Sequence, residues 1–357
     1  MLNAPPAEGV CRERYPSPEL PSSGSTVLCD LAWLALTPDL IELPPPIPDG
    51  GRPTLHELGL GHHLTAWLSA LTPASLAAAS HQKATRMGHY HERLWHLLLD
   101  TAPNTRLLAK NVRIYHKRIT LGELDMVYRT RDNPAPVHLE VAIKFYLGLP
   151  EGHGPANSLD RWIGPGGLDS LALKCAHLRR HQLPLSTTPL ALATLAHWLT
   201  PRDTMPYSLD VGELLTHRIA MPGVLFYPWH TPLPAPQGAT LNHRRGLWCF
   251  LRDWPALVDS LVDGSMQSSM ENSMESLDTP IRMAWLRKPH WLAPPKVEDF
   301  EPIAAVMPGV ERLIEQYGPQ QVMLYIPHQQ RVERVFIVPN SWPRQVPLPS
   351  RMQSRSI

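Results

Sequence analysis

A chain of 357 residues, 43% hydrophobic and 18% charged, has enough apolar side chains to build one large or two smaller folded units, which excludes wholesale disorder. Its 33 Lys and Arg against 32 Asp and Glu leave a net charge of +1, so no global field draws it to nucleic acid or to a membrane surface. The four cysteines, Cys11, Cys29, Cys175 and Cys249, form no CxxC pair, which excludes a zinc signature and a disulfide framework and points to a reducing compartment.

Forty prolines, where about 5% of a chain would be usual, predict many short elements and stiff connections. Residues 1 to about 25 are rich in Pro, Ser and Gly and read as a mobile arm, without the basic and then apolar segments of a signal peptide. A short helix is expected from Val27 to Ile41, and a helical pair from about 54 to 80. The strongest amphipathic helix runs from Ser80 to Leu99, where Tyr90, Leu94, Leu97 and Leu98 recur at helical spacing and Glu92, Trp95 and Leu99 form a neighbouring stripe. Leu107 to Tyr115 and Ile119 to Tyr128 read as a hairpin. A helix from about Leu168 to Leu183 follows the turn at Trp162 to Gly167, with Leu171, Cys175 and Leu178 as its buried stripe. The uncharged run from Leu183 to Thr200 contains Pro184 and Pro189 and is too broken for a membrane span, so a cytoplasmic protein without membrane contact is expected. Strands are expected at Gly223 to Trp229 and Gly246 to Phe250. The tandem SMQS, SMEN and SMES between Ser265 and Ser276 reads as a low-complexity linker. A strand at Arg282 to Leu286, a helix at Glu301 to Tyr317 and a hairpin of Gln321 to Ile326 with Arg331 to Val338 complete the chain.

The stretch Thr120 to Tyr146 carries the candidate chemistry. It concentrates Val, Ile, Tyr and Phe and is broken by Asn133-Pro134 and Pro136, which predicts two strands joined by a turn. Alternation places Glu123, Asp125 and Val127 on one face of the first strand. On the second, Leu139, Val141, Ile143 and Phe145 form an apolar face, while His138, Glu140, Ala142 and Lys144 look the other way. A carboxylate surface backed by a core surface is the expectation. The same pattern also describes the ordinary solvated side of a sheet.

The order helix with Glu92, strand, strand with Asp125, strand with Glu140 and Lys144, helix, strand resembles the core of the PD-(D/E)XK nucleases. The residues that carry the resemblance are Gly122-Glu-Leu-Asp125, Glu140, and Arg86-Met-Gly88 with Glu92 on the leading helix. Over nearly its full length the chain also resembles an uncharacterised bacterial family known as domain of unknown function 1853. The matching pieces are Asp30-Leu-Ala-Trp33, Leu139 to Leu147, Trp162-Ile-Gly-Pro165, His243-Arg-Arg-Gly246 and Trp291-Leu-Ala-Pro294. That family implies no activity.

The nuclease resemblance implies an α/β fold with a restriction-endonuclease-like mixed sheet flanked by helices at 80–230. An N-terminal arm and helical region at 1–79 and an α+β C-terminal region at 231–357 would flank it. It implies a Mg²⁺ ion, or Mn²⁺ in its place, held by Asp125 and Glu140 with Glu92 as a further ligand or orienting group. Nucleic acid would be the partner and phosphodiester hydrolysis the reaction. Ala142 occupies the usual lysine slot, so Lys144, about 6.6 to 6.8 Å farther along the strand, would have to lean back over Ala142 to stabilise charge. A catalytically silent protein of the same fold, binding nucleic acid or protein, is the alternative. The oligomeric state is not legible. His62-His63 and His89-x-His91 do not point to a shared metal, because neighbours on a helix lie about 100° apart and i, i+2 pairs about 200° apart. Lys174 and His181, at i and i+7, either face a phosphate backbone or form a solvated face. Arg86, Lys110, Arg113, Lys117 and Arg118 form a local basic concentration suited to backbone contacts or to solubility.

Overall fold

The computed structural model describes residues 25–43, 50–80, 86–133, 135–199, 215–269 and 280–348. The expected N-terminal arm, with Cys11, and the serine-methionine repeats beyond Ser269 lie outside those residues. Helix α1 (Thr26–Leu36) is followed by α2 (Leu64–Ala70), α3 (Pro73–Ser80) and α4 (Met87–Thr101). The periodicity of α4 is realised in its burial: Tyr90, Leu94, Trp95, Leu98 and Leu99 are all in the core.

Strands β1 (Thr105–His116), β2 (Ile119–Thr130) and β3 (Val137–Val141) form an antiparallel meander, and β6 (Thr216–Ala220) adds parallel to β3, giving the order β1-β2-β3-β6. A second sheet has eight strands. It begins with β4 (Lys144–Gly148), β5 (Trp162–Ile163), β7 (Gly223–Pro228) and β8 (Arg244–Phe250). It ends with β9 (Arg282–Trp285), β10 (Glu301–Pro302), β11 (Gln320–Ile326) and β12 (Arg331–Val338), in the order β10-β9-β11-β12-β8-β7-β4-β5. This sheet therefore takes strands from both sides of residue 230. Helix α5 (Leu171–His177), a π turn (Leu178–Gln182), α6 (Leu183–Leu185), α7 (Pro189–Leu199), α8 (Trp254–Ser269) and α9 (Ile303–Tyr317) supply the flanking layers. Two mixed sheets flanked by helices make this an α/β fold. Among the described residues no helix is long and apolar enough to cross a membrane.

One expectation is corrected at the centre of the molecule. The sequence suggests one continuous strand from His138 to Phe145, but the ladder is interrupted at Ala142 and Ile143, and the chain passes from the first sheet to the second. The neighbouring strand changes sheet alongside it. Ala142 N–H donates to Ala220 O at 2.9 Å and Lys144 N–H to Pro222 O at 3.2 Å, so pairing survives across the interruption. On the other side Met221 N–H turns to Asp39 Oδ1 at 2.8 Å, and Pro222 has no N–H to give. Gly223 follows because a Cβ there would collide with the Lys144 carbonyl oxygen.

The apolar face of β2 and β3 is as expected. Met126, Tyr128, Leu139 and Val141 pack in one cluster with Tyr90, Leu94, Trp95 and Leu98 of α4. The opposite face differs from a solvated surface. Leu171, Cys175 and Leu178 cover Ala142 and Tyr146, and His138 and Glu140 are 0% and 1% exposed. The helix from Leu171 lies over the carboxylate side and closes it.

Candidate functional site

The antiparallel register of β2 and β3 pairs Met126 with Leu139 and Val127 with His138, so the next step of the ladder sets Asp125 beside Glu140. Val141 N–H donates to Asp125 Oδ2 at 2.8 Å, and the charge of Glu140 acts on the Asp125 carboxyl. Two neighbouring buried carboxyl groups cannot both carry full charge at low cost, so protonation of one or a nearby cation is favoured.

Neighbouring groups fix Glu140 from two directions. His138 Nε2 lies 2.9 Å from Oε1, and Gln182 Nε2 donates to Oε2 at 2.6 Å. Gln182 in turn accepts from Lys174 Nζ at 2.8 Å. The π turn makes this connection. Leu183 N–H reaches back to Leu178 O, and Pro184 follows with no N–H to return to the preceding turn, so the coil widens locally. Ser170 starts α5 by accepting from Leu173 N–H at 3.2 Å.

The electrostatics follow from burial. Desolvation, and then the Glu140 charge, push the Asp125 carboxyl well above the usual carboxylate range, partly offset by the Val141 N–H. Glu140 is also raised, again first by burial, with Lys174 opposing the shift. Burial, and then the Lys144 charge, lower the Lys174 ammonium, while Glu140, Asp125 and Asp169 hold it charged. Burial depresses His138 to about 4, so its imidazole is neutral near pH 7.

The four expected site residues are not equally placed. Asp125 and Glu140 meet. Glu92, half-buried on α4, raises both through its field, but among the described residues no group of three or more His, Cys, Asp or Glu is gathered to hold a metal ion. Glu92 is itself raised by burial, and the Asn111 amide donates to Glu123 Oε1 at 3.0 Å. Lys144 is the first residue of β4, and its ammonium is bound by Asp169 Oδ2, which also accepts from Tyr146 Oη at 3.2 Å.

Gln182 was not legible as part of the site, and Lys174 only as a cation on a nearby helix. Gln182 and Glu140 are 42 residues apart in sequence, and apolar periodicity carries no sign of a π turn. The alternation that placed His138 with Glu140 does signal their contact. His91, by contrast, is a core side chain whose Nε2 accepts from the Trp95 indole at 3.0 Å.

Fold and site together define an α/β protein of two mixed sheets with a buried, cation-flanked carboxylate pair where β2 and β3 adjoin. The chain belongs to the family described as Domain of unknown function (DUF1853), whose model matches residues 29–338. No curated protein and no solved structure matches the chain.

Proposed function

We propose that the protein is a metal-dependent nuclease with a PD-(D/E)XK-like core that hydrolyses phosphodiester bonds of DNA or RNA. The observation that carries this reading is the Asp125–Glu140 contact with the Lys174 ammonium one amide away. The donor set suits Mg²⁺: two carboxylates offer hard oxygens, and this ion is commonly held by one or two carboxylates, several waters and substrate phosphate. Each Glu140 oxygen keeps a lone pair beyond its hydrogen bond to His138 or Gln182. Asp125 and Glu140 would hold the ion, which supplies an acidified water and neutralises phosphate charge. His138 and Gln182 orient Glu140. Lys174 sets a positive charge beside the position of the reacting phosphate, where it opposes developing negative charge. Lys144, bound to Asp169, contributes to the same field from farther away.

Incubation of the purified protein with single- and double-stranded DNA and RNA in Mg²⁺ or Mn²⁺ tests this reading. Cleavage by the wild type and its loss in Asp125→Ala are expected. Cleavage unchanged by Asp125→Ala, or none under any condition, would overturn it. The second reading, a catalytically silent member of this fold, is favoured by the closure of Glu140 beneath α5. Nucleic-acid binding without cleavage is its expected outcome.

A further inference from the structure

We infer that the β1–β2 hairpin tip is a nucleic-acid contact surface that grips unpaired bases and the backbone beside them. This rests on the nuclease reading for the identity of the partner, and it adds where the strand runs and in what form. From Thr101 to Gly122 the chain has no acidic residue, while Arg106, Lys110, Arg113, Lys117 and Arg118 are basic. A hairpin that needed only solubility would carry charge alone. Here Tyr115, Ile119 and Leu121 stand 50%, 67% and 47% exposed beside His116, Lys117 and Arg118 at the turn, Tyr115 on the face it shares with Thr120 and Ile119 on the opposite face with His116.

Apolar side chains interleaved with cations match the two surfaces of an unpaired strand. Bases stack on rings and aliphatic faces, and phosphates pair with Lys and Arg. A continuous duplex presents phosphates but shields its base faces, which leaves the three apolar groups without a partner. The hairpin is also aligned with the site. Strand β2 runs from the residue after Arg118 to Asp125 and beyond, and seven residues at about 3.3 Å each span roughly 23 Å. That length corresponds to several nucleotides between the tip and the carboxylates. The stem is seated, not free: a Cβ at Gly122 would come within 2.6 Å of Leu185 Cδ2, so α6 presses on the strand there. On that side of the site the π turn adds exposed Arg179, Arg180 and His181.

Fluorescence anisotropy in EDTA, with labelled oligo-dT, the matching RNA and a blunt mixed-sequence duplex, tests the inference without any cleavage. Wild type is expected to bind single strands more tightly than the duplex. Lys117→Ala with Arg118→Ala should weaken single-strand binding about tenfold and make the salt dependence shallower by about 1.4, near 0.7 for each phosphate no longer neutralised. Tyr115→Ala with Ile119→Ser should weaken single-strand binding about tenfold, leaving the salt slope and duplex binding unchanged. All four positions are exposed, and unchanged circular dichroism would show that the fold survives. Wild-type affinity in both double variants overturns the inference. So does a wild-type dimer that Tyr115→Ala with Ile119→Ser makes monomeric, because the tip would then cover a second copy. Loss of cleavage in Asp125→Ala with normal binding by the hairpin variants would leave the nuclease reading standing and this one refuted. Hairpin-dependent binding without cleavage would do the reverse.

Discussion

Lys174 and Lys144 stand near the same carboxylates under different constraints. The Lys144 ammonium is paired with Asp169, whereas Lys174 is hydrogen-bonded to the neutral Gln182 amide, which links it to Glu140. A cation whose charge is already matched by a partner contributes little to a developing anion. Lys174→Met is therefore expected to lower cleavage about 10² to 10³-fold, the usual loss for one preorganised electrostatic group. Lys144→Met should cost less than about tenfold. The comparison is made in single-turnover rates at saturating Mg²⁺, with melting curves to exclude misfolding, and a larger loss in Lys144→Met would reverse the assignment. The carboxylates were legible because antiparallel alternation needs only local sequence. The partner of Lys144 was not, because spacing along a strand does not reveal that Asp169 binds it.

The crossing from one sheet to the other belongs to the scale of the element. Two paired strands leave one sheet for the other at Ala142 and Pro222, and backbone contact is tightest at Gly223. An Ala there would drive its Cβ into the Lys144 carbonyl, and neither backbone can move without disturbing both sheets. Gly223→Ala is expected to destabilise the protein by about 3 kcal/mol, the upper range for overpacking a tight core position. Gly309 lies in helix α9, where a Cβ would meet nothing within 4 Å. Gly309→Ala is expected to stabilise by about 0.4 to 1 kcal/mol. Urea titration of both variants checks the opposite signs, and similar effects at the two positions would refute the account of close backbone approach at Gly223. Most strands and helices were legible from period and turn residues. The β1–β2 and β11–β12 hairpins fall close to their expected bounds, because each is stabilised mainly by contacts its own pattern encodes, whereas α4 starts at Met87 and Ser80, its expected first residue, closes α3. The break in β3–β4 was not legible: Ala142-Ile143 carries no turn residue, and the Pro222 that lacks an N–H to complete the ladder lies on the neighbouring segment of chain.

At the scale of the molecule, sequence pieces separated by more than two hundred residues meet on a single carboxylate. Asp30 of α1 is 1% exposed and accepts from Tyr90 Oη at 2.7 Å and from Ala293 N–H at 2.9 Å. His290 Nδ1 also lies 3.1 Å from it. The motif Asp30-Leu-Ala-Trp33 thus binds the motif Trp291-Leu-Ala-Pro294 beside α4, which also carries Glu92 toward the site. Arg334 of β12 strengthens the same junction by donating to the carbonyls of Trp291 and Leu292, each at 2.5 Å. These contacts join the N-terminal helices, the meander and the C-terminal strands into one cooperative unit, so loss of Asp30 should be felt throughout. Asp30→Ala leaves a buried hydroxyl and a partly buried N–H without an acceptor. At about 1 to 3 kcal/mol for each unsatisfied group, a loss of roughly 2 to 6 kcal/mol is expected. Asp30→Asn keeps one side-chain acceptor and should lose less than half as much. Urea unfolding followed by tryptophan fluorescence and far-ultraviolet circular dichroism decides the point. Coincident transitions that move together to lower urea in Asp30→Ala are expected. Two separated transitions in the wild type, or an unchanged midpoint in Asp30→Ala, would show that the N-terminal helices and the C-terminal strands fold independently and that Asp30 does not couple them.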